Sequence, residues 1–495
     1  MKLEDLVLCL SQPHVSGPRD GVELSGVHDD SRQVTPGSLF VAVRGLAVDG
    51  HDYISKAVTQ GAAAIVAETE PPEGYDKVWI RVKDSRLALA NIADAWHHSP
   101  SRDLPMVGVT GTNGKTTIAY LVHTILKATR MRAGMIGTVA IDDGVESNPA
   151  KQTTPGALEL QSLLARMRDN GCGGVVMEVS SHGLEQGRTL GVDFNVGVFT
   201  NLTQDHLDYH GTMENYFAAK KKLFTQMANA KGNAAAVINL DDRYGVELVD
   251  DFASRLNIVT YGFSSQCDFR AGRMKQDARG TEFQLEAKSK SFLVRVPLIG
   301  RFNVMNVLAA LAAVTSVGVP MREALNVLKE MKGVPGRLEL AGMKSGVPVF
   351  VDYAHTPDAL QNVCRTLREL EPSRLITVFG CGGDRDRGKR APMARAAEAL
   401  SSFCIVTSDN PRGEEPDAIM REVEKGFAGE AYTLIEDREE AIRRAIEAAR
   451  EGDIILIAGK GHEDYQIFSD RTIEFDDRKV ARRIIDELRG KEARL

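Results

Sequence analysis

The chain has 495 residues, with 61 basic and 68 acidic side chains, a formal net charge of −7 and 43% hydrophobic residues. A single core does not grow past about 250–300 residues, so several domains are expected. The acidic balance argues against a broad nucleic-acid surface, which needs clustered basic charge, and no stretch approaches the roughly 20 apolar residues of a membrane span.

In chain order, the opening MKLEDLVLCLSQPH carries acids within a short apolar run and does not read as a signal peptide. The six cysteines are scattered with no CxxC pair, which fits a reduced cytosol better than a disulfide framework or a zinc site. Near 38–68, GSLFVAVRGL, HDYISKAVTQG and AAAIVAE predict strand, helix and strand. This small α/β unit spans 1–100 and ends at a polar linker, HHSPSRDLP.

A central domain is expected over 101–335, with strands PMVGVT, VVMEV, VGVFT and AAAVINL alternating with helical sequence. That alternation implies a mostly parallel sheet. Between 266 and 296 the pattern changes to strict alternation (FQLEAK, FLVRV), which predicts an antiparallel edge or subsheet. A helix, NVMNVLAALAAVTSVG, leads to VPGR. Over 336–495, VPVFVDYA, LITVFGCGG, SFCIVTSDN and DIILIAGKG predict four strands of a nucleotide-binding-like α/β domain, with functional loops at their carboxyl ends. The tail KEARL reads as frayed.

The strongest local signal is Thr110-Gly111-Thr112-Asn113-Gly114-Lys115-Thr116-Thr117. It is a variant phosphate loop, since Val109 stands where the general pattern has glycine. A strand precedes it, and a helix follows with Ile118, Leu121, Val122, Ile125 and Leu126 on one face. Glycines let backbone N–H groups turn toward phosphate oxygens, and the helix N-terminus adds positive potential. Lys115 can then reach the β and γ phosphates and Thr116 can ligate Mg²⁺.

Farther on, Tyr216, Phe217, Lys220, Leu223 and Phe224 share one face of a predicted helix, so one of three consecutive lysines lies in an apolar stripe. Burial would depress its pKa, and a neutral amine can form a carbamate with CO₂, an anion able to hold Mg²⁺. Periodicity alone favours a lysine that snorkels to solvent. Glu178, ending VVMEV, and His206 are candidate partners of a metal, although a lone histidine is more often structural or a surface residue.

GTNGKTT, EVSSHGL, TNLTQDHLDYHGT, the AAK of 218–220, PGR, VDYAHTPDAL, GCGGDRDRGKR, SDNPRGEEP and AGKGHE together resemble the Mur ligases, ATP-dependent enzymes that build the peptidoglycan stem peptide. The resemblance covers nearly the whole chain. It implies a three-domain α/β architecture: an N-terminal UDP-substrate domain, a central P-loop ATPase-like parallel sheet, and a mobile, Rossmann-like C-terminal domain that takes the amino acid. It implies N6-carboxylysine at Lys220 and Mg²⁺ on Thr116, Glu178, His206 and Lys220. It places Asn306, Arg337 and Asp352 near ATP. Ser31, Thr153, Thr154, Ser180, Gln186 and Arg188 would contact UDP-N-acetylmuramoyl-L-alanyl-D-glutamate; otherwise Ser31 and Thr153 read as ordinary loop or cap residues. A cytoplasmic monomer acting on small molecules, with no nucleic acid or membrane partner, follows from the same resemblance.

The family divides by third residue, meso-diaminopimelate or L-lysine, which differ by one distal carboxylate. Asp409-Asn410-Pro411-Arg412 matches the diaminopimelate motif, and a planar guanidinium suits a carboxylate. Arg385 is expected on the other carboxylate, Asp409 and Glu463 on ammonium groups, and Gly459 beside them. As a plain sequence, DNPR also reads as a turn with a solvated arginine. A folylpolyglutamate-type synthetase, an L-lysine-adding relative and a non-catalytic ATP-binding switch are the competing readings. The N-terminal unit and DNPR weigh against the first, and the set Lys115, Glu178, His206 and Lys220 against the last.

Overall fold

The computed structural model describes residues 1–492 except 46, 47, 131 and 231, and side chains to residue 490. Leu46, which ends the first predicted strand run, and the frayed tail expected at its last residues 493–495 lie outside the described residues. The chain forms two compact units: Met1–Arg270 with Asn306–Val327, and Ala271–Met305 with Leu328–Leu495.

The first unit holds two sheets. In the smaller, Val27–His28, Leu39–Val41, Ala64–Ala67 and Val78–Arg81 run parallel, and His14–Ser16 closes one edge antiparallel. Its strands are buried on both faces: Leu39, Val41, Val66 and Ile80 pack one way, Phe40, Ile65 and Trp79 the other. Period-two side chains need two covers here, which is why these strands read as unbroken apolar runs. The segment expected to be a linker is packed into the unit. Ser101 is buried with its hydroxyl accepting from the Asp193 N–H, and Arg168 donates to the His97 carbonyl.

The larger sheet is parallel across Asn257–Gly262, Ala235–Asn239, Val196–Phe199, Met106–Thr110, Val175–Glu178 and Gly134–Ile136. Met106–Thr110 is central, flanked by strands that follow it in the chain on either side. Such a reversal of strand order leaves a crevice at the carboxyl ends, where the loops diverge. Helix Lys115–Arg130 covers the sheet with Ile118, Leu121, Val122, Ile125 and Leu126, all within 1% of full burial. Helix Met213–Asn229 is capped by Thr212, whose hydroxyl accepts from the Asn215 N–H, a cap worth about 1 kcal/mol.

In the second unit, Gly280–Ala287 and Lys290–Val296 pair antiparallel in continuous register, as the alternation predicts. A six-stranded sheet follows in the order Glu339–Lys344, Val347–Asp352, Ile454–Ala458, Leu375–Phe379, Phe403–Val406, Tyr432–Leu434, parallel except at the first strand. Phe350, Leu456 and Phe379 pack on one face and Val351, Ile457 and Val378 on the other. Again the strand from the end of the chain lies inside the sheet, so its terminal loop meets those of its neighbours.

Candidate active site

At the carboxyl edge of the central sheet, the phosphate-loop backbone is braced by the segment 200–203. The Thr112 N–H donates to the Asn201 carbonyl (2.8 Å) and the Asn113 N–H to Asn201 Oδ1 (3.0 Å), while Thr200 Oγ1 donates to the Asn113 carbonyl (2.7 Å). Two loop amides expected to face phosphate are therefore spent on Asn201. Gly111 (φ 145°) and Gly114 (φ 89°) are required as glycines: a Cβ at the first would strike the Thr200 hydroxyl, and at the second the Asn306 side-chain oxygen. Asn306 thus stands directly against the loop.

Lys115 Nζ folds back over the loop and donates to the carbonyls of Gly111 (2.9 Å) and Thr112 (2.8 Å). Lys220 Nζ donates to the same Gly111 carbonyl at 2.8 Å. The Lys220 side chain is 1% exposed and its nitrogen lies 4.4 Å from the centroid of the Tyr216 ring. Burial, then the charge of Lys115, push its pKa well below the ordinary lysine value, against the opposing pull of Asp205. The solvent-snorkelling lysine that periodicity favours is overturned: the stripe faces the sheet's loop edge, which gives the amine no path to water.

Glu178 is equally buried. Its Oε2 accepts from Thr116 Oγ1 (3.0 Å) and Thr138 Oγ1 (3.1 Å), and its Oε1 from the Thr138 N–H (2.8 Å). The expected substrate residues gather around it. Thr153 Oγ1 lies 3.1 Å from Thr138 Oγ1, and Thr154 Oγ1 donates to the Glu178 carbonyl (2.9 Å). Ser180 caps the short helix Ser181–Glu185, and Arg188 donates to the Thr154 carbonyl and to Gln186 Oε1, both at 2.7 Å. Ser31 sits apart in the 3₁₀ turn Ser31–Gln33 of the smaller sheet, buried beside Asp30, which caps the turn. A cleft of about 530 Å³ links that sheet to this cluster, lined by Arg44, Glu68, Arg86, Glu185, Gln186 and Lys222.

His206 has a left-handed backbone (φ 52°), and its ring lies edge-on to His182 at 4.9 Å. Sequence reasoning missed His182 and His210. The latter places Nε2 3.0 Å from Ser181 Oγ and packs 5.0 Å from Tyr216, whose hydroxyl lies 3.2 Å from Thr112 Oγ1. Burial, then neighbouring imidazoles, hold both below the usual histidine range. Both lie in the quoted motifs EVSSHGL and TNLTQDHLDYHGT, which were the available signal. Among the described residues no three His, Cys, Asp or Glu side chains form a metal cage. Glu178 and His206 thus do not by themselves make such a cage; Glu178 is held instead by the hydroxyls of Thr116 and Thr138.

The second unit carries the remaining candidates. Asp352 is buried with one oxygen accepting from the Leu338 N–H and the other from the Ala354 N–H, both at 2.7 Å; burial pushes its carboxyl up, opposed by Arg337. It ties the backbone entering the neighbouring strand Glu339–Lys344 to the turn that follows its own strand. Arg337 lies 5.0 Å over the Tyr353 ring. Asp409, Asn410 and Glu463 come together: Asn410 Nδ2 donates to Glu463 Oε2 (3.0 Å). Pro411 is buried, and Arg412 (φ 52°) donates to the carbonyls of Gly383 (3.0 Å) and Asn410 (3.3 Å), so it is a held arginine and no loose turn. Arg385 is exposed, its stem near Gly382, and Gly459 (φ 116°) abuts Asp409. At the centre stands Lys460, which the motif AGKGHE contains but sequence reasoning left unassigned.

Three family models match the chain: "Mur ligase family, catalytic domain" over residues 23–97, "Mur ligase middle domain" over 109–314, and "Mur ligase, glutamate ligase domain" over 336–461. A relative from Halalkalibacterium halodurans named "UDP-N-acetylmuramoyl-L-alanyl-D-glutamate--2,6-diaminopimelate ligase" is 47% identical over 465 residues, covering 94% of this chain and 95% of its own. One of the same name from Syntrophomonas wolfei subsp. wolfei is 44% identical over 494 residues, covering 99% and 100%. A solved structure with that name superposes with a TM-score of 0.72 at 35% identity, covering 96% of this chain and 97% of the other.

Proposed function

The chain belongs to the Mur ligase family, and from that and its site we propose that it joins meso-diaminopimelate to UDP-N-acetylmuramoyl-L-alanyl-D-glutamate with consumption of ATP. The observation that carries the chemistry is the convergence of Lys115 and Lys220 on one carbonyl of the phosphate loop. Two ammonium ions so close repel each other, and conversion of the buried one to a carbamate turns repulsion into attraction.

ATP lies on Thr110–Thr117, with Asn306 beside the loop; Arg337 and Asp352 are further nucleotide-binding residues by family resemblance. The γ-carboxylate of the D-glutamyl group attacks the γ-phosphorus; the bond to the bridging oxygen breaks and ADP leaves. Lys115 screens the meeting of two anions. Thr116, Glu178, His206 and carbamylated Lys220 would hold Mg²⁺, which would supply further neutralisation of the phosphates. The neutral amine of diaminopimelate then attacks the acyl carbon, phosphate departs, and the amine's proton passes to solvent. Thr153, Thr154, Ser180, Gln186 and Arg188 orient the muramoyl dipeptide, whose nucleotide end extends toward Ser31 through the cleft lined by Gln186. Its volume lies within the range of ordinary small-molecule sites.

Arg412 receives the distal carboxylate, Arg385 the other, and Asp409 and Glu463 the ammonium, with Gly459 leaving room. The chain works as a monomer in the cytoplasm, where ATP and the nucleotide-linked precursor are found; no described helix is long and apolar enough to cross a membrane. Phosphate release from the purified protein, given Mg²⁺, ATP and UDP-muramoyl dipeptide, tests the whole reading. Turnover should require diaminopimelate, with lysine about 30- to 1000-fold poorer. Equal use of lysine, or no ADP with either amino acid, refutes it.

A further inference from the structure

We propose that Lys460 is a positioning residue for the amino-acid substrate: its buried ammonium gathers Asp409, Asn410 and Glu463 into one recognition face. The inference rests on the reading of these loops as the diaminopimelate site. Lys460 is 0% exposed, and its Nζ donates to Asn410 Oδ1 (3.0 Å), Glu463 Oε2 (3.3 Å) and Asp409 Oδ1 (3.4 Å). An ammonium has three donors, and here three oxygens from two separate segments take them. Asp409 and Asn410 follow the strand Phe403–Val406, whereas Glu463 lies in the turn after Ile454–Ala458.

Removing the ammonium would leave two carboxylates and an amide oxygen facing one another, which like charges resist. Lys460 also sets the Asn410 amide. Its Oδ1 accepts from Lys460 Nζ and from the Ile467 N–H (3.0 Å), which identifies it as the oxygen and turns Nδ2 toward Glu463. Backbone support comes from elsewhere. Arg438, wholly buried with Asp477, donates to the carbonyls of Ser408 (3.4 Å) and Ala458 (3.0 Å), the residues just before Asp409 and Gly459. One buried cation thus holds the main chain and the other the recognising side chains. A methionine of similar length would fill the Lys460 space but leave the Asp409 and Glu463 carboxylates without their counter-charge, so the ammonium contributes to stability as well as to side-chain placement.

The test is steady-state phosphate release by Lys460→Met and Lys460→Arg enzymes, with each of the three substrates varied in turn. For Lys460→Met, KM for diaminopimelate should rise about tenfold or more, while KM for ATP and for the muramoyl dipeptide stays within about twofold. The melting temperature should fall, because two carboxylates lose their counter-charge, but a purely structural role would not single out the KM for diaminopimelate. Lys460→Arg keeps the charge but spreads it over a plane, so it should raise the same KM by less; if the Met variant does not fold, this one decides. An unchanged KM for diaminopimelate, or an equal rise in all three, overturns the inference while leaving the site reading intact. A wild-type enzyme that ignores diaminopimelate overturns the site reading, and this inference with it.

Discussion

Replacing Lys220 by alanine probes the metal-site chemistry most directly. Lys115 and Lys220 place their nitrogens 2.9 and 2.8 Å from one oxygen, so the two charges are less than about 6 Å apart. At that distance, with an effective dielectric constant near 20, two like charges repel by about 3 kcal/mol. A carbamate reverses the sign, so the modified side chain contributes an attraction of similar size toward Lys115 and the cation. Losing about 3 kcal/mol of transition-state stabilisation corresponds to about a hundredfold in rate. We expect kcat of Lys220→Ala to fall by at least that factor, with the fold intact because a desolvated charge has been removed. Formate, acetate or propionate, entering the vacated space beside Tyr216 and Gly111, should restore part of the rate. The assay is phosphate release with and without added acid, alongside wild-type enzyme in CO₂-depleted buffer. A Lys220→Ala enzyme that keeps full activity without rescue refutes the carbamate.

Three other outcomes follow from the geometry. Gly111→Ala forces a side chain into a φ of 145° against the Thr200 hydroxyl; it should cost about 2 kcal/mol or more of stability, read by denaturant unfolding, and abolish ATP turnover. Arg412→Ala should raise KM for diaminopimelate about 30- to 1000-fold and leave the weak turnover of lysine nearly unchanged, which a substrate competition assay measures. The His462 imidazole is lowered to about 4 by burial and then by Arg337 and Arg478. Its folded pKa lies below its unfolded value, so the unfolded state binds more protons between about pH 6.5 and 4, and stability should fall as pH drops through that window. Unfolding free energies of wild type and His462→Gln, measured across it, should diverge in slope; parallel curves would remove His462 as the cause.

Much of the candidate site is legible in the amino-acid sequence because its signals are local. The strand, glycine loop and amphipathic helix around Lys115 obey short-range periodicity and backbone geometry, and the buried positions from Ile118 to Leu126 match it residue by residue. Interior strands such as Ile454–Ala458 stand out as apolar runs, whereas Glu339–Lys344 and Tyr432–Leu434 do not, since edge strands are only partly buried and need no such run. Periodicity also says that Lys220 shares a face with Tyr216 and Phe224, but not what that face meets. Its carbonyl partner is 109 residues away in the chain, and the partners of Lys460 at Asp409 and Asn410 are 51 and 50 away.

By itself, then, the sequence determined which segments become strands and helices, where the phosphate loop lies, and which motifs belong together. Only the tertiary structure decided that Lys220 is sealed from water, that Asn201 occupies two loop amides, and that Lys460 stands among Asp409, Asn410 and Glu463. The physical reason is range. Helix and strand preferences act between near neighbours, whereas desolvation and charge pairing depend on which distant segments close around a group.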